Sequence, residues 1–268
     1  MEFSTALSFT RFNLPNGQAA WIPDDLELRF PESSSLPLAD QHYLIYLPWQ
    51  ARYLENVDPA YRDFFQVVLP YLHARSTDVH VATCLPFIKE LMQAETGPLD
   101  ERVIQVAFML HDSGWSQMSE LEIAESLGVS GLSLSGQAVQ PKARHAILGQ
   151  QVAQKLLEAY PFQPPLTAEQ IGQIYQAILY HDRPQDLAGA GGIPASVKVV
   201  CNVDHLWSFT HPNFWQDTVR KGVPPPAYLE NLGRDLDGYF VSEPGRQKAR
   251  RLLEERAKEV QAWANLPL

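Results

Sequence analysis

The sequence predicts an all-α fold that carries a small, partly β N-terminal extension. From about residue 58 onward, apolar residues recur at helical spacing between recognisable helix caps. The first 55 or so residues instead contain a hairpin signal and scattered prolines. Hydrophobic residues make up 45% and charged residues 19% of the 268 positions, which is typical of a globular protein with a sizeable core. We therefore expect an extension over residues 1–55 and a helical domain over residues 56–268.

The extension has one strong local signal. Asn16-Gly17 lies between the segments TRFNL and QAAWI, and Asn-Gly favours the tight turn of a hairpin. Pro23, Pro31 and Pro37 interrupt the residues that follow. We expect a β-containing or irregular segment packed on the helical domain, and its role stays open between a lid and a dimer contact.

Helix caps mark the first half of the helical domain. Asp58-Pro59 combines an N-cap with proline at the first helical position, and Asp100 is a second N-cap. Pro86 lies inside an expected helix and predicts a kink or a break, because an interior proline costs on the order of 3 kcal/mol. The expected helices here span residues 58–72, 77–93, 100–111 and 119–127.

The second half follows the same pattern. Pro141 precedes one expected helix, Thr167 caps another, and linkers are expected at 129–137 and 189–192. The last helix has a densely charged face, which usually faces solvent. The expected helices here span residues 142–160, 168–180 and 195–207. After the segment 215–221 and a triple proline at 224–226, one more is expected from about residue 228 and one over 244–265.

Charge and composition exclude several classes of function. A formal net charge of −10 disfavours nucleic acid as a main partner and disfavours anionic membranes, because both require a positive field. The sequence has no apolar run long enough to span a bilayer, and its N-terminus lacks the pattern of a secretory signal. Cys84 and Cys201 lie far apart in apolar surroundings and are expected to be buried thiols. We expect a cytoplasmic protein.

The segment Ile104–Trp115 is the first candidate for chemistry. An apolar run ends there at His111 and Asp112, and burying an imidazole beside a carboxylate is costly unless something pairs with them. A divalent metal would be such a partner, since imidazole and carboxylate are common ligands. The alternative is an ordinary helix C-terminus with Gly114 as the stop.

Four further polar residues lie at comparable places in expected helices and form one set with His111 and Asp112. Helix ends in an antiparallel bundle gather at the two ends of the bundle, so ligands from several helices can converge on one pocket. The residues concerned are His80, His111, Asp112, His145, His181 and Asp204.

This ordered set resembles the HD-domain metal-dependent phosphohydrolases of the two-metal type, over about residues 65–210. The resemblance implies an HD-domain-like helical bundle. The helix with Gly245, Arg246 and Arg250 also looks like the tail of some family members. The matching segments are STDVHVATCL around His80, FMLHDSGW around His111-Asp112, KARHAILGQQVAQKLL around His145, QAILYHDRP around His181 and VVCNVDHLW around Asp204.

The resemblance implies a divalent metal cofactor, with two ions per chain drawn from Fe, Mn, Zn, Ni or Co, or Mg. One ion would be held by His80, His111, Asp112 and Asp204. Asp112 would bridge to a second ion held by His145 and His181. A carboxylate suits the bridge because it has two oxygens, and Asp112 is also the expected catalytic residue.

The chain departs from the family pattern at two places. Trp115 stands where many two-metal relatives have a lysine after HD-x-Gly, so a cation expected near the substrate is missing. His181-Asp182 stands where some cyclic-dinucleotide phosphodiesterases have His-His, and the GYP signature of that subgroup is absent. Both departures count against that substrate class.

Cations beside the metal ligands are the candidates for binding substrate. Arginine suits phosphate through its bidentate fork, but each of these cations could instead pair with a nearby surface acid. The candidates are Arg75, Lys142, Arg144 and Arg183.

Four further side chains lie near the candidate ligands in the sequence. His205 and His211 are interpreted as packing or capping residues, and His73 is an alternative to His80 as the first ligand. Asp182 either orients a ligand or caps a turn.

The leading hypothesis is a hydrolase of a phosphate ester or anhydride of a nucleotide or another small phosphorylated metabolite, acting through a metal-activated water. The alternatives are a mixed-valence di-iron oxygenase, which resembles a branch of the same fold, and a non-catalytic ligand-binding protein. A homodimer is left open.

Overall fold

The computed structural model describes residues 7–14, 17–127, 141–187 and 192–266. The described chain is mostly helical, and its sheet is one two-stranded antiparallel pair near the N-terminus. The predicted fold class is therefore confirmed. The linker expected at 129–137 lies outside the described residues, as does the linker expected at 189–192 apart from Gly192.

The hairpin forms where the sequence predicts it. Strand β1 is Phe9–Asn13 and strand β2 is Ala19–Pro23, with Phe9 opposite Pro23. Asn16 of the predicted turn lies outside the described residues. Two 3-10 segments, Leu38–Leu44 and Ala51–Asn56, follow the hairpin.

A separate apolar cluster attaches this extension to the helices. Its members are buried residues of the extension together with one residue of each of two helices. They are Leu14, Ile22, Leu28, Ile45, Leu47, Val79 and Val219.

Eleven α-helices follow within the described residues. They are α1 (Arg62–Val68), α2 (Thr77–Ala94), α3 (Glu101–Leu110), α4 (Glu120–Glu125), α5 (Pro141–Ala159), α6 (Ala168–Tyr180), α7 (Pro184–Leu187), α8 (Ala195–Leu206), α9 (His211–Lys221), α10 (Pro225–Tyr239) and α11 (Glu243–Ala264).

The predicted caps are present at the helix starts. The side chain of Asp58 accepts a hydrogen bond from the Ala60 N–H, and that of Asp100 accepts one from the Val103 N–H. Thr167 forms a full capping box at the start of α6. These bonds satisfy backbone donors that a helix leaves unpaired at its first turn.

Helices α7 and α9 were not among the expected helices, and two of the expected helices differ in detail. Helix α2 continues through Pro86, so the alternative of a break is wrong. Helix α10 begins at Pro225 and not near Tyr228, because a proline in the first turn replaces an N–H that would have no partner in the helix.

Helices α2, α3, α6 and α8 surround the main core. Every residue of α3 from Val103 to Leu110 is buried, which explains why its sequence is one apolar run. Cys84 and Cys201 are buried free thiols, as expected.

Helix α11 covers one side of this core. Its residues Arg250, Arg251, Glu254 and Glu255 are exposed, in agreement with the predicted solvent-facing side. No helix among the described residues is long and apolar enough to cross a membrane.

Candidate metal centre

The end of α3 places the first ligand candidate inside the core. His111 caps this helix and is fully buried. Its Nδ1 donates a hydrogen bond of 2.6 Å to the carbonyl oxygen of Phe108. That bond leaves Nε2 free to face Oδ1 of Asp204, which lies 3.2 Å away on α8.

His80 approaches the same two carboxylates from α2. Its Nδ1 lies 3.3 Å from Oδ2 of Asp112, and its Nε2 lies 3.4 Å from Oδ1 of Asp204. The His80 Nε2 is buried and makes no hydrogen bond. His80, His111, Asp112 and Asp204 thus form one cluster of potential metal ligands.

A second cluster shares Asp112. The Nε2 atoms of His145 on α5 and His181 after α6 lie 2.9 Å apart. They lie 3.3 and 3.5 Å from Oδ1 of Asp112. The Nδ1 of His181 donates to the carbonyl oxygen of Ile178 at 2.7 Å, so in the neutral imidazole its Nε2 carries a lone pair.

These spacings fit metal coordination. Bonds of about 2.1 Å place neighbouring ligand atoms roughly 3.0 Å apart at a right angle and roughly 3.4 Å apart in a tetrahedron. The edges of the second cluster, 2.9 to 3.5 Å, lie near that range. The clusters meet at Asp112, whose Oδ2 faces the first and whose Oδ1 faces the second.

The pKa shifts of the cluster residues show how strongly the carboxylates and the imidazoles interact. Burial acts to lower the pKa of His111, but Asp112 and Asp204 outweigh it and raise the pKa to about 10. Burial acts to raise the pKa of Asp112, but the surrounding histidines hold it well below its usual value. Two buried carboxylates therefore demand positive charge around them, which a divalent cation would supply. Burial lowers the pKa of His80 and His145, which favours the neutral imidazole that a metal requires. Burial acts to lower the pKa of His181 too, but Asp112 outweighs it and raises that pKa, so a metal bound here would displace a proton from His181 and from His111.

Gly114 allows the segment that follows Asp112 to approach α5 closely. The 3-10 segment Ser113–Gln117 packs directly against α5. A Cβ on Gly114 would lie only 1.9 Å from the carbonyl oxygen of His145 and 2.5 Å from the backbone nitrogen of Gly149. The absence of a side chain at Gly114 therefore brings Asp112 within reach of His145.

Trp115 contacts two potential ligands of the second cluster. Its ring stacks on the imidazole of His145 with the centroids 4.1 Å apart, and its Nε1 donates to Oδ1 of Asp112 at 3.0 Å. The guanidinium of Arg75 lies over the same indole, 4.2 Å from its centroid. A cation thus reaches this region from the start of α2, although none follows Gly114 in the sequence.

A cavity of about 330 Å³ opens onto both clusters. This volume lies at the small end of the range for ligand pockets. Arg75 and Lys142 line the cavity, and Lys142 also pairs with Asp182 at 3.2 Å. Both residues are therefore placed to meet a bound ligand.

The other two predicted cations are not brought to this cavity. Arg144 pairs with the buried carboxylate of Glu122. Arg183 lies 3.3 Å from Asp186 and packs on the ring of Tyr180. Both follow the alternative of pairing with a nearby acid.

Several cavity residues were not among the candidates. Asp217 and Lys221 on α9 line the cavity and form an ion pair of 2.8 Å, and Tyr239 and Trp207 also line it. The ring of Trp207 stacks on His80. The signal in the sequence is the spacing of Asp217 and Lys221 by four residues, which is equally typical of a surface pair.

Of the two remaining histidines of the C-terminal half, one lies at the cavity and the other lies away from it. His205 is buried and lines the cavity, and its Nδ1 donates to the carbonyl oxygen of Cys201 at 2.8 Å. His211 lies between Glu259 and Asp25, outside the clusters.

His73 and Asp182 take different places. The exposed His73 hydrogen-bonds Asp78, so His80 is the histidine of α2 that enters the first cluster. Asp182 forms a further group of potential ligands with Asp204 and His205.

No family model, curated protein or solved structure matches this chain. The resemblance to HD-domain phosphohydrolases accordingly depends on six residues and their order along the sequence. The structure itself contains a buried His/Asp cluster, compatible with a metal site, on a mostly helical fold.

Proposed function

We propose that this protein is a metal-dependent hydrolase of a phosphate ester or anhydride, acting on a nucleotide or another small phosphorylated metabolite. The observation that supports it is the carboxylate of Asp112, whose two oxygens face two different groups of imidazoles. A shared carboxylate between two nitrogen-rich clusters is a suitable bridge for two divalent ions. Two cations on the wall of the cavity beside it, Arg75 and Lys142, suit a phosphoryl group.

The residues of the two clusters would hold the metal ions. His80, His111 and Asp204 would hold one ion, and His145 and His181 the other, with Asp112 between them. The pair would lower the pKa of a water molecule and stabilise the charge that develops on the phosphoryl oxygens. Hydrolysis adds the oxygen of that water to phosphorus, breaks the P–O bond to the leaving group, and returns the proton to the leaving oxygen.

Two cations of the cavity wall would bind the substrate. Arg75 has no carboxylate within salt-bridge distance among the described residues, so its guanidinium is available to a phosphate. Lys142 would exchange its exposed pair with Asp182 for a contact with the substrate, at little cost because surface pairs contribute roughly 0–1 kcal/mol.

The first test is metal content together with hydrolysis. Protein purified without chelator is analysed for metals and assayed for phosphate release from monoesters, diesters and nucleotides. We expect two ions per chain in the wild type, and one ion with loss of hydrolysis in His145→Ala. The control His42→Ala, in the extension, keeps both ions, because its Nδ1 contacts only the nearby carbonyl oxygen of Ala39.

The second test removes the shared carboxylate. Asp112→Ala should abolish hydrolysis with an unchanged circular dichroism spectrum, whereas Asp237→Ala, whose side chain is 83% exposed, should have no effect. One ion unaffected by His145→Ala would reduce the site to the first cluster. Absence of metal after reconstitution would refute the proposal. Oxygen consumption by a reduced, iron-loaded sample would favour the oxygenase.

A further inference from the structure

A second cavity, of about 440 Å³, lies between the N-terminal extension and the helical body. One wall, which the extension contributes, consists of the half-buried rings of Tyr43, Tyr46 and Trp49, and we call this space the aromatic cavity. Residues of α2 and α4 line its opposite side.

One charged side chain of this cavity, a cation, makes neither a hydrogen bond nor an ion pair among the described residues. Both of its carboxylates are engaged, because Asp78 accepts from His73 and from the Val79 N–H, and Glu120 accepts from Ser34 and Ser35. Arg220 donates to the carbonyl oxygens of Ile45 and Arg75. Arg220 also pairs with Asp217 at 3.8 Å. Of the described charged groups that line this cavity, only the guanidinium of Arg75 makes neither a hydrogen bond nor an ion pair.

Arg75 belongs to both cavities. It lines the aromatic cavity and also the metal cavity, where it lies over Trp115. Trp115 in turn hydrogen-bonds Asp112. One indole therefore connects the arginine at the junction of the two cavities to the shared carboxylate.

The backbone at this junction is held in an unusual conformation. Arg75 and Ser76 both have positive φ, 59° and 63°, which non-glycine residues adopt only where the surroundings enforce it. The hydroxyl of Ser76 accepts the N–H of Leu47 at 2.8 Å and the side-chain amide of Gln216 at 2.9 Å. The extension and α9 thus fix the position from which Arg75 projects.

We propose that the aromatic cavity receives the apolar or aromatic part of the substrate, while its phosphoryl group lies at the metal centre and Arg75 contacts it at the junction. This inference depends on the proposed function for the identity of the phosphoryl site. It also assigns a role to the extension, which forms one wall of the substrate site. The favoured substrates are then phosphate esters of aryl or bulky apolar alcohols.

The test compares two phosphonates that differ only in their apolar group, phenylphosphonate and methylphosphonate, titrated into the metal-loaded protein by calorimetry. We expect wild type to bind phenylphosphonate at least about tenfold more tightly, because only the phenyl ring removes a large apolar surface from water. Leu44→Trp, which adds bulk at the wall of the aromatic cavity, should reduce this preference to less than about threefold. Its effect on methylphosphonate should be small.

The matched control is Leu38→Trp. Leu38 lies in the same 3-10 segment but is 60% exposed and does not line the cavity, so this variant should keep the wild-type preference. Equal affinity of wild type for the two phosphonates, no binding of either, or equal effects of the two variants would overturn the inference.

Turnover of phenyl phosphate and methyl phosphate separates the two proposals. Binding preference without any hydrolysis would contradict the proposed function and leave the aromatic cavity as a ligand site. Hydrolysis without a binding preference would support the proposed function and overturn the inference.

Discussion

The indole N–H of Trp115 donates a hydrogen bond of 3.0 Å to Oδ1 of Asp112, the same oxygen that faces His145 and His181. The bond directs one oxygen of the carboxylate toward the second cluster. Trp115 also stacks on His145, so one side chain orients two potential ligands. Neighbours of this kind tune metal sites through the ligands that they hold.

Replacing Trp115 with phenylalanine should weaken the second metal site. The phenyl ring can still pack near His145, but the hydrogen bond to Asp112 is lost. We expect a loss of about 10- to 100-fold in affinity for the second ion or in hydrolysis. Metal titration followed by an activity assay measures both.

The matched control is Trp263→Phe, because the Nε1 of Trp263 has no hydrogen-bond partner in the described structure. An equal effect of the two substitutions on metal affinity would contradict the role assigned to the Trp115 hydrogen bond.

Gly114→Ala should prevent the turn after α3 from packing on α5. The added Cβ would lie 1.9 Å from the carbonyl oxygen of His145, a backbone atom that can move only with its helix. We expect a strongly destabilised or insoluble protein in thermal unfolding experiments. Gly172→Ala, within α6 and with nothing within 4 Å of the new Cβ, should instead stabilise by up to about 1 kcal/mol. A soluble Gly114→Ala protein with wild-type stability and metal content would refute this account.

Metal removal should lower the stability of the fold. The carboxylates of Asp112 and Asp204 face each other across the imidazole of His111. A bound cation would stabilise the native state to an extent that depends on its occupancy. At a free metal concentration 100 times the Kd, one site contributes about 2.7 kcal/mol. Melting after chelation and after addition of metal measures this difference. Asp112→Ala should show little response to metal, and an equal response in both proteins would locate binding elsewhere.

The carboxylate of Asp217 should make stability dependent on pH in the acid range. Burial acts to raise its pKa, but Lys221, Arg220 and the hydroxyl of Tyr228 outweigh this and hold the pKa below its usual value. Burial lowers the pKa of Arg220 to about 10, so this guanidinium is still charged at pH 7 and needs its partner.

A lowered pKa in the folded state means that Asp217 stabilises above its unfolded pKa of about 3.9, and that this stability is lost as the pH falls through the folded pKa. Asp217→Asn should therefore lower the free energy of unfolding by on the order of 3 kcal/mol near pH 7, and by progressively less below about pH 4. Urea unfolding at a series of pH values measures the difference. The control Asp235→Asn breaks a surface pair with Arg234 and should change stability by less than about 1 kcal/mol. A pH-independent deficit in Asp217→Asn would contradict the assigned role.

Local signals account for the helices that the sequence predicted correctly. Asp100 and Thr167 begin α3 and α6 where they were expected, because an N-cap acts on backbone groups two or three residues away. The break that Pro86 suggested does not occur. The free-energy cost of an interior proline is local, whereas the buried packing of α2 that offsets it cannot be read from the sequence.

Among the candidate substrate contacts, the sequence could not separate Arg75 and Lys142 from Arg144 and Arg183. All four are cations beside a ligand in the sequence. Glu122 on α4 decides the outcome for Arg144, and this pairing depends on how α4 packs against α5. Asp186, three residues after Arg183, decides the outcome for that arginine, and the sequence alone does not show that this local pair forms in preference to a contact with the cavity.

The placement of the candidate ligands at helix ends could be predicted from the sequence, because helix caps and apolar periodicity are properties of neighbouring residues. That Oδ1 and Oδ2 of Asp112 face different clusters could not be predicted, since it requires α3, α5 and the end of α6 to converge around one side chain. The tertiary structure decided this, and it also decided that the extension and α9 hold Arg75 between two cavities. Such contacts join residues far apart in the chain, and long-range packing, not local propensity, determines them.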